Sequence, residues 1–263
     1  MRKIGYFIFV FIAFSVLTVL TQIGGMALLL GLIIARLINF RSNKIAFPVI
    51  IYLLFTFLIT PVVAPLFGRE PVKNTSQIKP TTFLTTLLNR NYVVPELNDV
   101  LSKTAHQLPK HIQLRYLDAN FPFFNGFPLL PHMSHNDGKK IDISLMYELA
   151  DGSPTNLKPS RSGYGVFVEP SPSEFNQTIW CKQQGYKQYD FPKYLMFGLN
   201  HSGLRFSSKN TSLLIHGLLD SKRLEKIFLE GHLKRRMRLQ DPRIRFHGCK
   251  AVRHDDHIHL QIH

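Results

Sequence analysis

The chain has 263 residues, a formal net charge of +15 at pH 7, and a composition that is 45% hydrophobic and 19% charged. Its two cysteines, Cys181 and Cys249, form no C-x-x-C pair, which argues against a structural zinc finger. No Walker A loop, dinucleotide fingerprint or known nucleic-acid motif is present, so no nucleic-acid partner is expected despite the positive charge.

The N-terminal region reads as membrane. Residues 4–20 form an uncharged apolar run, Gln22-Ile23-Gly24-Gly25 interrupts it, residues 26–38 continue with Arg36 alone, and residues 46–67 carry no charge. The pattern predicts three spans, the second short for a hydrocarbon core of about 30 Å. The alternative joins residues 4–34 into one unusually long span. Arg2, Lys3, Arg36, Arg41 and Lys44 are expected on the cytoplasmic side. The first two spans then make a hairpin, and the third delivers residue 68 onward to the outer face. With two spans the domain would instead be cytoplasmic. No small-residue cleavage site follows the first run, which disfavours a cleaved signal peptide.

Residues 68–80, polar and bounded by prolines, read as a linker, and residues 97–106 as the best helix of the stretch that follows. The division expected is therefore a membrane region at 1–67, a linker with short helices at 68–108, and one domain at 109–263. Strands are predicted near residues 112–117, 141–148, 165–169, 226–230 and 257–262, and helices near 210–219 and 232–239. Mixed elements with many Pro and Gly turns give an α+β class, a small domain around a central antiparallel sheet. The cluster Lys234-Arg235-Arg236 with Arg238, Arg243 and Arg245 is expected to be a solvated basic face. Cys181 and Cys249 either pair, if the domain faces an oxidising compartment, or remain two partly buried thiols.

The chemistry concentrates in two segments. His254-Asp255-Asp256-His257-Ile258-His259-Leu260-Gln261-Ile262-His263 alternates like a strand, so His257, His259 and Gln261 share one face while Ile258, Leu260 and Ile262 share the other. Upstream, Pro131-His132-Met133-Ser134-His135 is followed by Gly138 and then Asp142, seven residues after His135. Gly138 permits a sharp turn that could fold His135 back towards the Asp142 strand. One imidazole, one carboxylate and a distant imidazole would make three ligands, the composition of a catalytic zinc site. H-E-x-x-H is absent, so the base must come from elsewhere.

These two segments resemble the zinc peptidase group that contains lysostaphin-type, D-Ala-D-Ala and hedgehog-type domains. Within it they are most similar to the penicillin-insensitive murein endopeptidases, over roughly residue 112 to the C-terminus. The resemblance implies one Zn2+ held by His135, Asp142 and His259, with His257 as base or transition-state stabiliser and His132 and His254 near the cleft. Pro131 stands where that family has glycine. The function it implies is hydrolysis of peptidoglycan peptide crosslinks, D,D-endopeptidase-like, by a protein anchored in a bacterial cytoplasmic membrane with its catalytic domain on the periplasmic or outer face. A D,D-carboxypeptidase with the same zinc site is the nearest alternative. A non-catalytic wall-binding module is the other.

Overall fold

The computed structural model describes residues 2–38 and 45–263. Arg41 and Lys44, two of the charges used to orient the spans, lie outside the described residues. The chain divides into two compact units, one of Met1–Val72, Leu84–Pro95 and Ala119–Gly138, the other of Lys73–Phe83, Glu96–Asp118 and Lys139–His263.

The first unit is built on three helices: α1 (Arg2–Thr21), α2 (Gly24–Leu37) and α3, which runs from Ala46–Leu54 through a π turn at Phe55–Ile59 and the short helices Thr60–Val63 and Ala64–Phe67. Two segments, Lys3–Thr21 and Ala46–Phe67, are long and apolar enough to cross a membrane, while Gly24–Leu37 is shorter. The residues that α2 buries are all small, namely Gly24, Gly25, Ala27, Gly31 and Ala35. Small side chains let apolar helices approach closely and gain dispersion contacts where no hydrophobic drive separates them from lipid. A Cβ on Gly25 would collide with Thr18 of α1, and one on Gly31 would come within 2.5 Å of the Pro48 Cα of α3.

Residues 68–80 are not a free linker. Arg69 is fully buried, Glu70–Pro71 pairs with Tyr92–Val93, and Ile78–Pro80 enters a sheet. The guanidinium of Arg69 donates to the Phe121 carbonyl, to Asn125 Oδ1 at 2.5 Å and to the Asn136 carbonyl at 3.2 Å. A buried charge is tolerated because both terminal nitrogens donate to fixed acceptors.

The second unit holds a six-stranded sheet. Its strands are β1 (Ile78–Pro80), β2 (Leu114–Tyr116), β3 (Lys140–Ser144), β4 (Leu224–Phe228), β5 (Ile244–Arg245) and β6 (His257–Ile262), in the order β5-β4-β6-β3-β2-β1. The centre is antiparallel, as expected, but both outer pairs, β5 with β4 and β1 with β2, are parallel, so the sheet is mixed. On one face Ile141, Ile143, Ile227, Ile258, Leu260 and Ile262 are almost wholly buried. Each such side chain contributes about 1.5–3 kcal/mol by leaving water. The helices Pro95–Gln107 and Ser208–Leu219 meet where Thr104 donates to the Gly217 carbonyl at 3.2 Å.

Residues 165–169, expected as a strand, carry no strand pairing; their polar groups are used one by one on other segments. The expected strand over 141–148 breaks after Ser144, and Tyr147–Glu148 joins a separate three-stranded sheet. Nor is the basic cluster simply a solvated face. Lys234 donates to the carbonyls of Ile244 and Asp241, Arg236 pairs with Glu174 at 2.5 Å, and Arg243 pairs with Asp241 at 2.8 Å.

Cys181 and Cys249 form a disulfide with a Cα–Cα distance of 5.3 Å, packed with Tyr186 and the buried Tyr189. The bridge spans 68 residues. A loop of that size restricts the unfolded chain by about 4 kcal/mol. Cys181→Ser is therefore expected to lower stability by that order, and reductant to lower the melting temperature of the parent chain but not of the variant. Gly31→Leu should cost about 1–3 kcal/mol by overpacking the α2–α3 contact, read as a lower melting temperature in detergent.

Candidate metal centre

The register of the sheet builds the site. β6 pairs antiparallel with β3 so that His259 lies directly opposite Asp142 and His257 opposite Ser144. Directly opposed residues share a face with Cβ atoms about 5 Å apart, within reach of one hydrogen bond. Accordingly His259 Nδ1 is 2.9 Å from Asp142 Oδ1. On its other side β6 pairs with β4, setting His259 opposite Phe228.

Asp142 is held from several directions. Its backbone N–H donates to the Asp118 carbonyl, and its carbonyl accepts from Leu117 N–H, each at 2.8 Å. The Tyr164 hydroxyl donates to Asp142 Oδ2 at 2.8 Å and accepts from the Asp118 N–H at 3.1 Å. Burial and the neighbouring carboxylates of Asp142 and Asp118 push the Tyr164 phenol well above its ordinary pKa, so it stays a donor.

The upstream histidines lie on residues 131–135, which follow the cis Leu130–Pro131 peptide. The rings of His132 and His135 are 5.4 Å apart. His135 is buried and its Nδ1 is 2.7 Å from the Ala119 carbonyl. A carbonyl can only accept, so Nδ1 carries the proton and the lone pair lies on Nε2, the form in which imidazole ligates metals. Gly138 has a φ of 83°, and a Cβ there would come within 2.9 Å of Val94 Cγ1. This is the turn that the sequence required of a glycine.

His132, His135 and Asp142 each offer one ligand atom, and these atoms all lie within 4.8 Å of one another, a group that could hold a metal ion. Ligand atoms around a tetrahedral divalent ion with bonds of about 2.0–2.2 Å sit roughly 3.3 Å apart. The Asp142–His259 pair, at 2.9 Å, is in direct hydrogen-bond contact, and the ligand atoms of the trio lie up to 4.8 Å apart. Two imidazoles and a carboxylate suit zinc and its neighbours better than calcium or magnesium.

His257 is turned by its neighbour. Its Nδ1 is 2.5 Å from Asp256 Oδ1, which leaves Nε2 towards Asp142, 3.7 Å from Oδ2. Asp256 also accepts from Gly165 N–H at 2.6 Å. Burial opposes the charged form of His257, but the carboxylates of Asp142 and Asp256 outweigh it and raise its pKa to about 9. His254 behaves oppositely: burial, then the neighbouring imidazoles of His257, His259 and His247, hold it well below the usual histidine value. Its ring is 4.9 Å from that of His257 and 5.9 Å from that of His259.

Two participants, Tyr164 and His247, lie outside both sequence segments, and Asp256 lies inside one without an expected role. Tyr164 and Asp256 position Asp142 and His257. His247 is exposed, stacks on Phe228 at 3.9 Å and lies 5.2 Å from His254, so it forms an outer edge of the cluster. Asp255, adjacent to Asp256, points elsewhere and pairs with Arg253 at 2.5 Å.

Compared with known families and curated proteins, the chain matches no family model and no curated sequence.

Two ligand sets can be separated by titration. The resemblance implies His135, Asp142 and His259, of which the register brings the last two together, and the proximity of ligand atoms favours His132, His135 and Asp142. Zinc competition titrations on the full chain are expected to show lost stoichiometric binding for His135→Ala and Asp142→Ala in either case. Whichever of His132→Ala and His259→Ala also loses it identifies the third ligand. Tyr164→Phe should weaken binding roughly 10- to 100-fold, the usual effect of losing a partner that orients a ligand.

Proposed function

We propose that this chain is a membrane-anchored zinc peptidase that hydrolyses peptidoglycan peptide crosslinks. The observation that carries this reading is the meeting of His135, Asp142 and His259 through Asp142, with His257 beside them. It is the constellation that the resemblance to murein endopeptidases implies. Zinc held there would lower the pKa of a bound water and polarise a scissile carbonyl.

The chain's own residues divide the remaining work. Asp142, fixed by Tyr164 and by both of its backbone bonds, supplies a carboxylate whose orientation costs nothing at the moment of reaction. His257 would take a proton at Nε2 and return it to the leaving amine, while Asp256 holds its Nδ1–H. A raised pKa suits the acid half of that cycle. For the base half, His257 would have to be neutral, and a cation held by Asp142 would offset that carboxylate's attraction for the imidazolium. His254, uncharged and buried, adds no competing positive charge.

Placement of the site outside the cytoplasm rests on two supports. Counting the shorter Gly24–Leu37 as a pass between the apolar helices Lys3–Thr21 and Ala46–Phe67 gives three passes and carries residue 68 outward, and a Cys181–Cys249 bridge suits an oxidising compartment.

The test is a digest of crosslinked peptidoglycan by the full chain in detergent, with zinc or with chelator, read by mass spectrometry of the muropeptides. Zinc-dependent conversion of crosslinked dimers to monomers is expected. Loss of a terminal alanine alone would make it a carboxypeptidase, and no change from metal-loaded protein would make it a wall-binding module. His257→Ala should keep its zinc and lose turnover by about 100- to 10,000-fold, the range for removing a general acid–base group.

A further inference from the structure

The first unit fixes how deep its helices sit. Gly31 of α2 meets Pro48 of α3. At 1.5 Å per residue Gly31 lies about 10 Å below Gly24, where α2 leaves the α1–α2 turn, so α3, running the other way, draws level with that turn near Phe55. Below the turn α3 therefore supplies only about 14 Å, less than half of a hydrocarbon core of about 30 Å. A crossing is complete only if the part of α3 beyond the turn, from Phe55 to Phe67, is in lipid as well.

That upper part has two faces. Thr56, Thr60 and Ala64 are buried, whereas Leu58, Val62 and Leu66 are exposed at 62%, 75% and 83%. The buried face is occupied by protein. Asn89 Nδ2 donates to Thr56 Oγ1 at 3.3 Å, and Phe67 packs edge-on against Phe123 and Phe124, with ring centroids 4.9 and 5.5 Å away. Phe123 N–H donates to Gln22 Oε1 at 2.9 Å, so the same loop caps the α1–α2 turn. This loop leads directly into His132 and His135 and exposes Phe124, Leu130 and Met133.

Charge fixes the other boundary. Arg36 is exposed on α2, about 18 Å below the turn. A bilayer whose outer edge lay at the turn would hold that guanidinium about 12 Å inside the hydrocarbon, where it is strongly disfavoured. An inner edge at Arg36 brings the outer edge about 12 Å above the turn, near Ala64. Tyr6, Phe7 and Phe9 of α1 then fall in the inner headgroup zone, which suits aromatic rings.

We propose that the outer leaflet rises to about Leu66, covers the Leu58–Val62–Leu66 face, and takes in the loop that begins at Phe123 beside the turn, so that its exposed Phe124, Leu130 and Met133 lie in the leaflet and the loop brings His132 and His135 to the membrane surface. This rests on the membrane-spanning reading and is independent of the peptidase reading. The occupant of the apolar face is bilayer lipid, because that face continues an uncharged stretch that begins at Ala46.

The test uses the full chain in phosphatidylcholine vesicles with Trp180→Phe as background and single tryptophans as Leu53→Trp, Leu66→Trp and Phe124→Trp. Leu130→Trp serves as a second reporter of the loop should Phe124→Trp fail to fold. With brominated lipid each is expected to lose at least half of its emission relative to unbrominated lipid. Quenching of Leu53→Trp with full emission retained at Leu66→Trp, or at the loop reporter, overturns the proposal. An unquenched Leu53→Trp overturns the spanning reading itself.

Discussion

The alignment of β6 against β3 is the constraint on which the remainder of the structure depends. One register places Ile258, Leu260 and Ile262 with Ile141 and Ile143 on the core side, and the same register sets His259 opposite Asp142. A slip of one residue would turn every apolar side chain of β6 outward and every histidine inward. Core stability and site geometry are thus enforced by a single set of backbone hydrogen bonds. The hydrophobic term that holds the sheet together is large, and the cluster of imidazoles is positioned as its by-product.

That coupling explains what could be read in advance. Alternation in residues 257–262 revealed the strand and its two faces, and the Gly138 turn revealed how His135 could return towards Asp142. Both rest on local rules of period and φ. The parallel outer strands β1 and β5 were not legible, because two- and three-residue strands carry no period and are recruited by the sheet edge they meet. Residues 165–169 misled for the opposite reason: they have strand-like composition, but their polar groups are used individually on Asp256 and Asp255. Tyr164 and His247 were invisible because each acts through a neighbour brought close by the fold, with no fixed spacing to a motif, whereas Asp256 stood inside the His254–His259 segment and only its bond to His257 was not foreseen.

The membrane region shows a different balance. Hydropathy found the runs, but the depth of α2 depends on glycine contacts that hydropathy scores as neutral. Gly25 against Thr18 and Gly31 against Pro48 set how far the three helices overlap. Arg69 then ties the end of α3 to the loop around residues 121–136, so the start of what reads as a linker in composition is packed into the first unit.

The contact between Asp142 and His259 joins residues 117 positions apart. Contacts of such long range form late, since the entropy of closing so large a loop is spent before they repay it. The second half of the cluster is in place only where β6 is paired between β3 and β4. Partly folded chains in transit carry the upstream histidines without their counterpart. Whatever chemistry the cluster performs is latent until the sheet is complete, a form of timing that needs no inhibitor or propeptide.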